Sequence, residues 1–209
     1  MNHLRNGIAC VVAAGVLLVL GAAIRPLFVD DPVAPAILSA TETGFVQDMS
    51  AHHHQALVMV QRLDPGADPA VLGVARQIED TQLSEIGMML GWLRMAGAPA
   101  AGPEPMRWMP EQTHEHHAAH DPHAASMPGM ATQGDLDALS AARGRAAAVL
   151  FLRLMQRHHE GGIAMARAAD ALLTGGVVKQ AAREMISEQT QEAGLMALLL
   201  AQLESSPPG

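Results

Sequence analysis

Histidine and methionine recur in one spacing at two places in the chain. Met49-x-x-His52-His53 is followed by Met59, and Met155-x-x-His158-His159 is followed by Met165. In each copy one Met stands three residues before the first His and another seven after it. Phe45 and Phe151 stand four residues before the first Met. Imidazole nitrogen beside thioether sulfur suits a soft or borderline ion. Copper fits that pair best, since Cu(I) takes Met and Cu(II) takes imidazole and oxygen. Zinc sites are built from Cys, His and carboxylate and rarely use Met. Di-iron bundles want Glu-x-x-His on two helices with further Glu on the others, and no such motif stands here in ligand register.

Each copy is followed by a second set of polar residues on an apolar helical stripe: Gln82, Glu85 and Met89, then Gln189, Glu192 and Met196. An amide or a carboxylate on such a stripe is costly to bury unless it is paired. The nearest partners are the histidines of a facing helix. A carboxylate or amide that accepts from one ring N–H fixes the tautomer and frees the other nitrogen for a metal. These six side chains are therefore expected to orient the ligands or to complete their set. At about 100° per residue, His54 points away from the stripe, and Glu160 takes its place in the second copy. It is excluded from the site.

The same residues also have a plainer reading. Methionine at helical spacing is usually packing material, and an inward histidine is often a satisfied core residue bonded to Glu. Repetition follows from duplication alone. The stripes leave a metal site and a buried His–Glu–Gln network both open.

A separate signal lies between the copies. His114, His116, His117, His120 and His123, followed by Met127-Pro128-Gly129-Met130, place five His and two Met within 17 residues. Short His-rich tracts read compositionally as metal binding, so this stretch could capture copper and pass it on. A solvated polar linker is the alternative.

The elements that must position these groups follow from the repeat, which is settled before any fold is assigned. Ser39-x-x-Glu42 is a capping box that opens a first helix, stopped near Leu63 by Asp64-Pro65-Gly66. Asp68-Pro69 opens a second helix that runs to about Ala96, with Gly97 as its stop. Thr132-x-x-Asp135 opens a third helical region ending near Thr174, with kinks expected at Gly144 and Gly161-Gly162. A fourth helix runs from about Val177 to Leu203. Two short connections and one long one describe an all-α four-helix bundle of the ferritin-like kind, made from two duplicated hairpins with one crossover. The expected division is 1–28 signal peptide or transmembrane anchor, 29–38 spacer, 39–97 first hairpin, 98–133 His/Met-rich linker and 134–204 second hairpin, with 39–204 as one domain.

Composition narrows the partners. The 209-residue chain carries a net charge of −8 with neutral His, so it offers no basic face for nucleic acid. Its single Cys, Cys10, lies in the N-terminal apolar run, which leaves the bundle without thiolate ligands or disulfides. That run, Ile8 to Ile24, is 17 uncharged residues between Arg5 and Arg25. It is long for a signal peptide and short for a spanning helix. The charge bias puts the domain outside the cytoplasm, in the cell envelope, membrane-anchored through this segment or secreted.

The paired cores Phe45-x-x-Asp48-Met49-x-x-His52-His53-x-Gln55-Ala56 and Phe151-Leu152-x-x-Met155-x-x-His158-His159-Glu160-Gly161 resemble the bacterial domain of unknown function 305 family. So do Gln82-x-x-Glu85-Ile86-Gly87-x-Met89-x-Gly91-Trp92-Leu93 and the Met127–Met130 stretch, and the likeness covers roughly Gly44 to Leu203. The resemblance implies an exported ferritin-like bundle, copper binding in some members and no assigned enzymatic activity. It places the ligands at Met49, His52, His53, Met59, Met155, His158, His159 and Met165. The chain departs from the family where Ala147-Ala148 stand in place of Phe-Asp, so a carboxylate analogous to Asp48 is missing from the second half.

The expected function is an extracytoplasmic copper-binding protein, taking Cu(I) or Cu(II), that sequesters or relays the ion to a copper-handling partner. Two other classes remain open. One is a metal-dependent oxidase-like bundle enzyme, and the other is a metal-free structural envelope protein with a buried His–Glu network.

Overall fold

The computed structural model describes residues 14–20, 36–109 and 127–205. The chain divides into two units, Met1–Ala36 and Ile37–Gly209. In the first, residues 14–20 are helical, and the rest of the apolar run lies outside the described residues. No helix among the described residues is long and apolar enough to cross a membrane. His114, His116, His117, His120 and His123 also lie outside them.

The second unit contains α1 (Ala40–Arg62), α2 (Pro69–Met95), α3 (Gln133–Ala141), α4 (Gly144–Leu172) and α5 (Val177–Ser205). No strand occurs among the described residues. Local chemistry starts three of the helices. Ser39 and Glu42 close both arms of a capping box at α1, and Thr132 and Asp135 do the same at α3. At α2 the Asp68 side chain accepts from Ala70 N–H, with Pro69 in the first turn.

The third helical region is two helices where one kinked helix is expected. Ala142 and Arg143 are extended, and Arg143 gives no side-chain cap. The cap comes from elsewhere: Asp64, in the α1–α2 turn, accepts from Gly144 N–H at 2.6 Å. Gly144 sits at φ +52°, a conformation that favours glycine. The break is thus a tertiary effect. Gly161-Gly162, by contrast, lie within an unbroken α4.

Helices α1, α2, α5 and α4 form a ring in that order, each packed on the next, and α3 lies against α1 and α4. Two apolar clusters fill the interior. One joins the C-terminal half of α1 (Ala56, Met59) to the N-terminal halves of α2 and α4 (Val74, Ile78, Phe151, Met155) and to Met196 of α5. The other joins Phe45 and Met49 to Met89, Met165, Met185 and Leu93. Helices α1 and α4 therefore run antiparallel. Between the two clusters lies a band of buried polar side chains: His52, His53, Gln82, His158, His159, Gln189 and Glu192.

The first half carries one further buried anion. Asp48 accepts from Met106 N–H at 2.6 Å and from Trp108 Nε1–H at 2.8 Å, and Trp108 stands edge-on to Phe45 with ring centroids 5.4 Å apart. Burial raises the Asp48 carboxyl above its ordinary range against the pull of these two bonds. By helix register its counterpart is Leu154, which precedes Met155 as Asp48 precedes Met49, and not the Ala147-Ala148 pair. Leu154 packs in the first cluster and makes the two halves unequal there. Asp48→Ala strands two donors, which should lower stability by about 2–4 kcal/mol in urea unfolding. In a Trp92→Phe background the emission of Trp108 should shift to the red at the same time.

Candidate metal centre

His52 and His53 are brought inside by α1, and His158 and His159 by α4; all four are fully buried. The flanking thioethers of Met49, Met59, Met155 and Met165 are fully buried as well. They do not group by repeat. Met49 shares a cluster with Met165, and Met59 shares one with Met155. Antiparallel packing has crossed the two copies, so the histidine band has one thioether from each copy on either side. His54 is exposed on the outer face of α1, bonded to Ser50 O at 2.7 Å.

Each histidine spends the same ring nitrogen on the protein. His53 Nε2 bonds Glu85 Oε2 at 2.7 Å, and His159 Nε2 bonds Glu192 Oε2 at 2.7 Å. His158 Nε2–H donates to His52 O at 3.1 Å, and His52 Nε2–H donates to Pro128 O at 3.0 Å. A carbonyl only accepts, so in His52 and His158 the proton is on Nε2 and the Nδ1 lone pair is free. Nδ1 of all four rings is buried without a hydrogen-bond partner, as are Oε1 of Gln82 and both amide atoms of Gln189. A group left unpaired inside a protein costs about 1–3 kcal/mol, and native structures hold few of them without a reason such as a bound ion or water. Gln189 has its place because Gly162 leaves one: a Cβ there would overlap the Gln189 amide.

Charge is disfavoured on three of the four rings. Burial, then the neighbouring His53, pushes His52 down to about 3, and burial with His159 pushes His53 to about 3. His158 falls well below its ordinary value through burial and His52, whose ring lies 3.8 Å away, centroid to centroid. Burial and the Glu192 carboxylate push Glu85 up to about 7. Burial and Glu85 likewise raise Glu188. His52, His53 and His158 are thus held neutral, with the raised carboxyls of Glu85 and Glu188 to one side.

This fixes a pH response. The three histidines stay unprotonated in the fold until about pH 3 for His52 and His53, and to low pH for His158, while the unfolded chain takes up protons at 6.5. Their contribution is whole above 6.5 and is lost as pH falls toward the folded values. Glu85 acts in the opposite sense, stabilising below its ordinary 4.5 and fading as pH rises through about 7. Asp48 and Glu188 act in the same sense as Glu85. Three imidazoles outweigh Glu85 in the window they share. The melting temperature of the metal-free protein should drop by roughly 5 °C or more per pH unit on acidification below about pH 6.

Among the described residues, no three His, Cys, Asp or Glu side chains stand close enough together to hold one ion. The imidazoles are not a ready-made cage. Gln82, Met89, Gln189, Glu192 and Met196 are buried on the facing stripes, and Glu85 lies at their edge with its side chain 11% exposed. Met127 is buried and Met130 half-buried, both packed in the second cluster. Two features escaped the residue pattern. One is the shared use of Nε2, and the other is the contact of the Pro128 carbonyl with His52.

The chain is similar to several solved structures. A DUF305 protein of Streptomyces coelicolor, described as secreted, is 36% identical, with 81% of this chain and 96% of that one covered and a TM-score of 0.68. A DUF305 fragment from Deinococcus radiodurans is 29% identical, covering 78% and 97%, with a TM-score of 0.64. CopM, solved in its Cu(II)-bound form, is 22% identical, covering 77% and 96%, with a TM-score of 0.60, and so shares the fold. No curated protein matches the chain. The family model described as domain of unknown function (DUF305) matches residues 42–200, most of the chain and nearly all of the helical bundle, and the chain belongs to that family.

Proposed function

We propose that this bundle is an extracytoplasmic copper-binding protein that sequesters or relays the ion. The observation that carries the reading is the set of four buried Nδ1 atoms without a partner, each ring spending Nε2 on the protein and two of them, His52 and His158, fixed with an open Nδ1 lone pair. Neutral imidazole with one nitrogen anchored and the other free is the form that metals take. Thioethers above and below the band turn the preference toward copper. The Cu(II)-bound state of the CopM neighbour agrees with that choice.

The ligands are His52, His53, His158 and His159 with Met49, Met59, Met155 and Met165. Gln82, Glu85, Met89, Gln189, Glu192 and Met196 orient them or complete the set. With the imidazoles spread along a band, an ion would draw on two rings and a thioether. Export rests on the N-terminal apolar run and on the Streptomyces relative described as secreted. The histidines from 114 to 123, with Met127 and Met130, would serve in capture.

The two closed His–Glu pairs favour one rival, a purely structural network. Stability separates the two. A ligand that binds only the folded state must raise the melting temperature. With residues 110–126 deleted to remove the loop histidines, one equivalent of Cu(I) should still be retained on desalting and should raise the melting temperature by several degrees. Unchanged melting and loss of copper would leave the structural network as the answer.

A further inference from the structure

The two halves keep the same Met and His spacing, and one of the positions where they differ carries a contact in both. Three residues after the first His stands Gln55 in α1 and Gly161 in α4. Both meet the same piece of chain, the strap from Met127 to Ala131. Gln55 clamps it with both ends of its amide: Nε2–H donates to Ala131 O at 2.8 Å, and Oε1 accepts from Ala131 N–H at 2.7 Å. Gly161 makes room for it, since a Cβ there would overlap the Pro128 carbonyl. Gly129, at φ +76°, lies against Arg157 O on the same turn of α4, where again no Cβ fits. Between these supports Pro128 O accepts a hydrogen bond from His52 Nε2–H at 3.0 Å.

The strap is what makes the repeated centre asymmetric. His158 finds its acceptor on α1, at His52 O, but the return bond is not made; His52 turns to Pro128 instead. His53 and His159 take theirs from Glu85 and Glu192 on neighbouring helices. Of the four rings, only His52 depends on a non-helical segment for its tautomer. The two tautomers of a neutral imidazole are close in energy, so an acceptor-only partner decides which one a buried ring adopts.

We propose that the Met127–Ala131 strap, held by Gln55 and seated on Gly161, is the positioning element that keeps the Nδ1 of His52 open as a ligand and covers the centre. Gln55 is a positioning residue: it acts on His52 through the strap. The inference rests on the copper-centre reading for its purpose, but the effect on His52 stands apart from any metal. The centre is fully buried, so an ion reaches it only when something moves. The strap is held by one clamp, one ring bond and the packing of Met127, Met130 and Ala131, over a far shorter length than α1 and α4.

The test uses the full chain with 15N-labelled histidine, with Gln55→Leu to remove both clamp bonds and Gln55→Glu to keep only the one from Ala131 N–H. Long-range 15N–1H spectra of the metal-free protein report each ring's tautomer. Wild type should show Nε2–H at His52. Gln55→Leu should move His52 toward Nδ1–H while His53, His158 and His159 keep theirs, and Gln55→Glu should fall between. Loaded with Ag(I), the Leu variant should give up the ion to a chelator roughly 10- to 100-fold faster, the range for losing a ligand's support. An unchanged His52 tautomer in the folded variants would overturn the proposal, and if the Leu variant does not fold the Glu variant decides. Failure of wild type to take up Ag(I) would instead sink the copper-centre reading and leave the tautomer result to judge the strap.

Discussion

Replacing His52 and His158 together by alanine should weaken Cu(I) binding by more than roughly a hundredfold, beyond the range seen when only a ligand's support is lost. These rings lie against each other, with centroids 3.8 Å apart and planes tilted by 33°. Both carry their proton on Nε2, since both donate to carbonyls, so both offer Nδ1. The double variant leaves Pro128 O and His52 O without a ring donor and opens a void beside Met49 and Met155. It should therefore also melt several degrees below wild type in the absence of metal. The informative quantity is the gap in melting temperature between the loaded and metal-free forms. It should be wide in wild type and closed in the variant. Competition against a Cu(I) chelator measures the affinity directly, and single variants should fall between, because each leaves one ring of the stack in place.

The second large effect has the opposite sign. Gln82→Leu together with Gln189→Leu should stabilise the metal-free protein. Gln82 Oε1 and both amide atoms of Gln189 are buried and unpaired, on stripes whose other members are Ile78, Met89, Met185 and Met196. An apolar side chain of similar volume removes those orphans at no loss of a hydrogen bond at these atoms, and each orphan costs about 1–3 kcal/mol. The expected gain is about 2–5 kcal/mol, or several degrees in melting temperature for a chain of this size. Copper retention should fall in the same variant if the amides help complete the ligand set. A stabilised fold that binds less metal is the trade expected of a functional band kept at the expense of stability. Destabilisation would mean that the amides are satisfied by water and belong to the fold.

Much of this molecule could be read from its residues. The repeat of Met, His, His and Met at matched spacing gave two helices with buried imidazoles, and the Gln-Glu-Met stripes gave the helices that face them. Capping boxes at Ser39 and Thr132 marked true helix starts, because those signals act within one turn. What escaped the reading is non-local. The break before Gly144 depends on Asp64, 80 residues away, donating nothing to local propensity but accepting the first N–H of α4. The pairing of Met49 with Met165 follows from antiparallel packing of α1 on α4, which spacing within one copy does not encode. Asp48, one residue before Met49, is the acceptor that fixes the Met106–Trp108 turn, a partner that its own helix does not encode. The strap had one visible signal, the change from Gln55 to Gly161 at matched positions beside the kept His pair. Here the departure between repeats marks where the two copies meet one segment in different ways.

The account stands on four imidazoles that anchor through Nε2 and present Nδ1 to a soft ion. An Ag(I) titration of the 15N-histidine-labelled chain, followed ring by ring, tests that most directly. Nδ1 resonances of two of the four rings His52, His53, His158 and His159 should move as the first equivalent is added, with their Nε2–H signals kept. Movement confined to the histidines from 114 to 123, with the four buried Nδ1 signals unchanged through that equivalent, would contradict it.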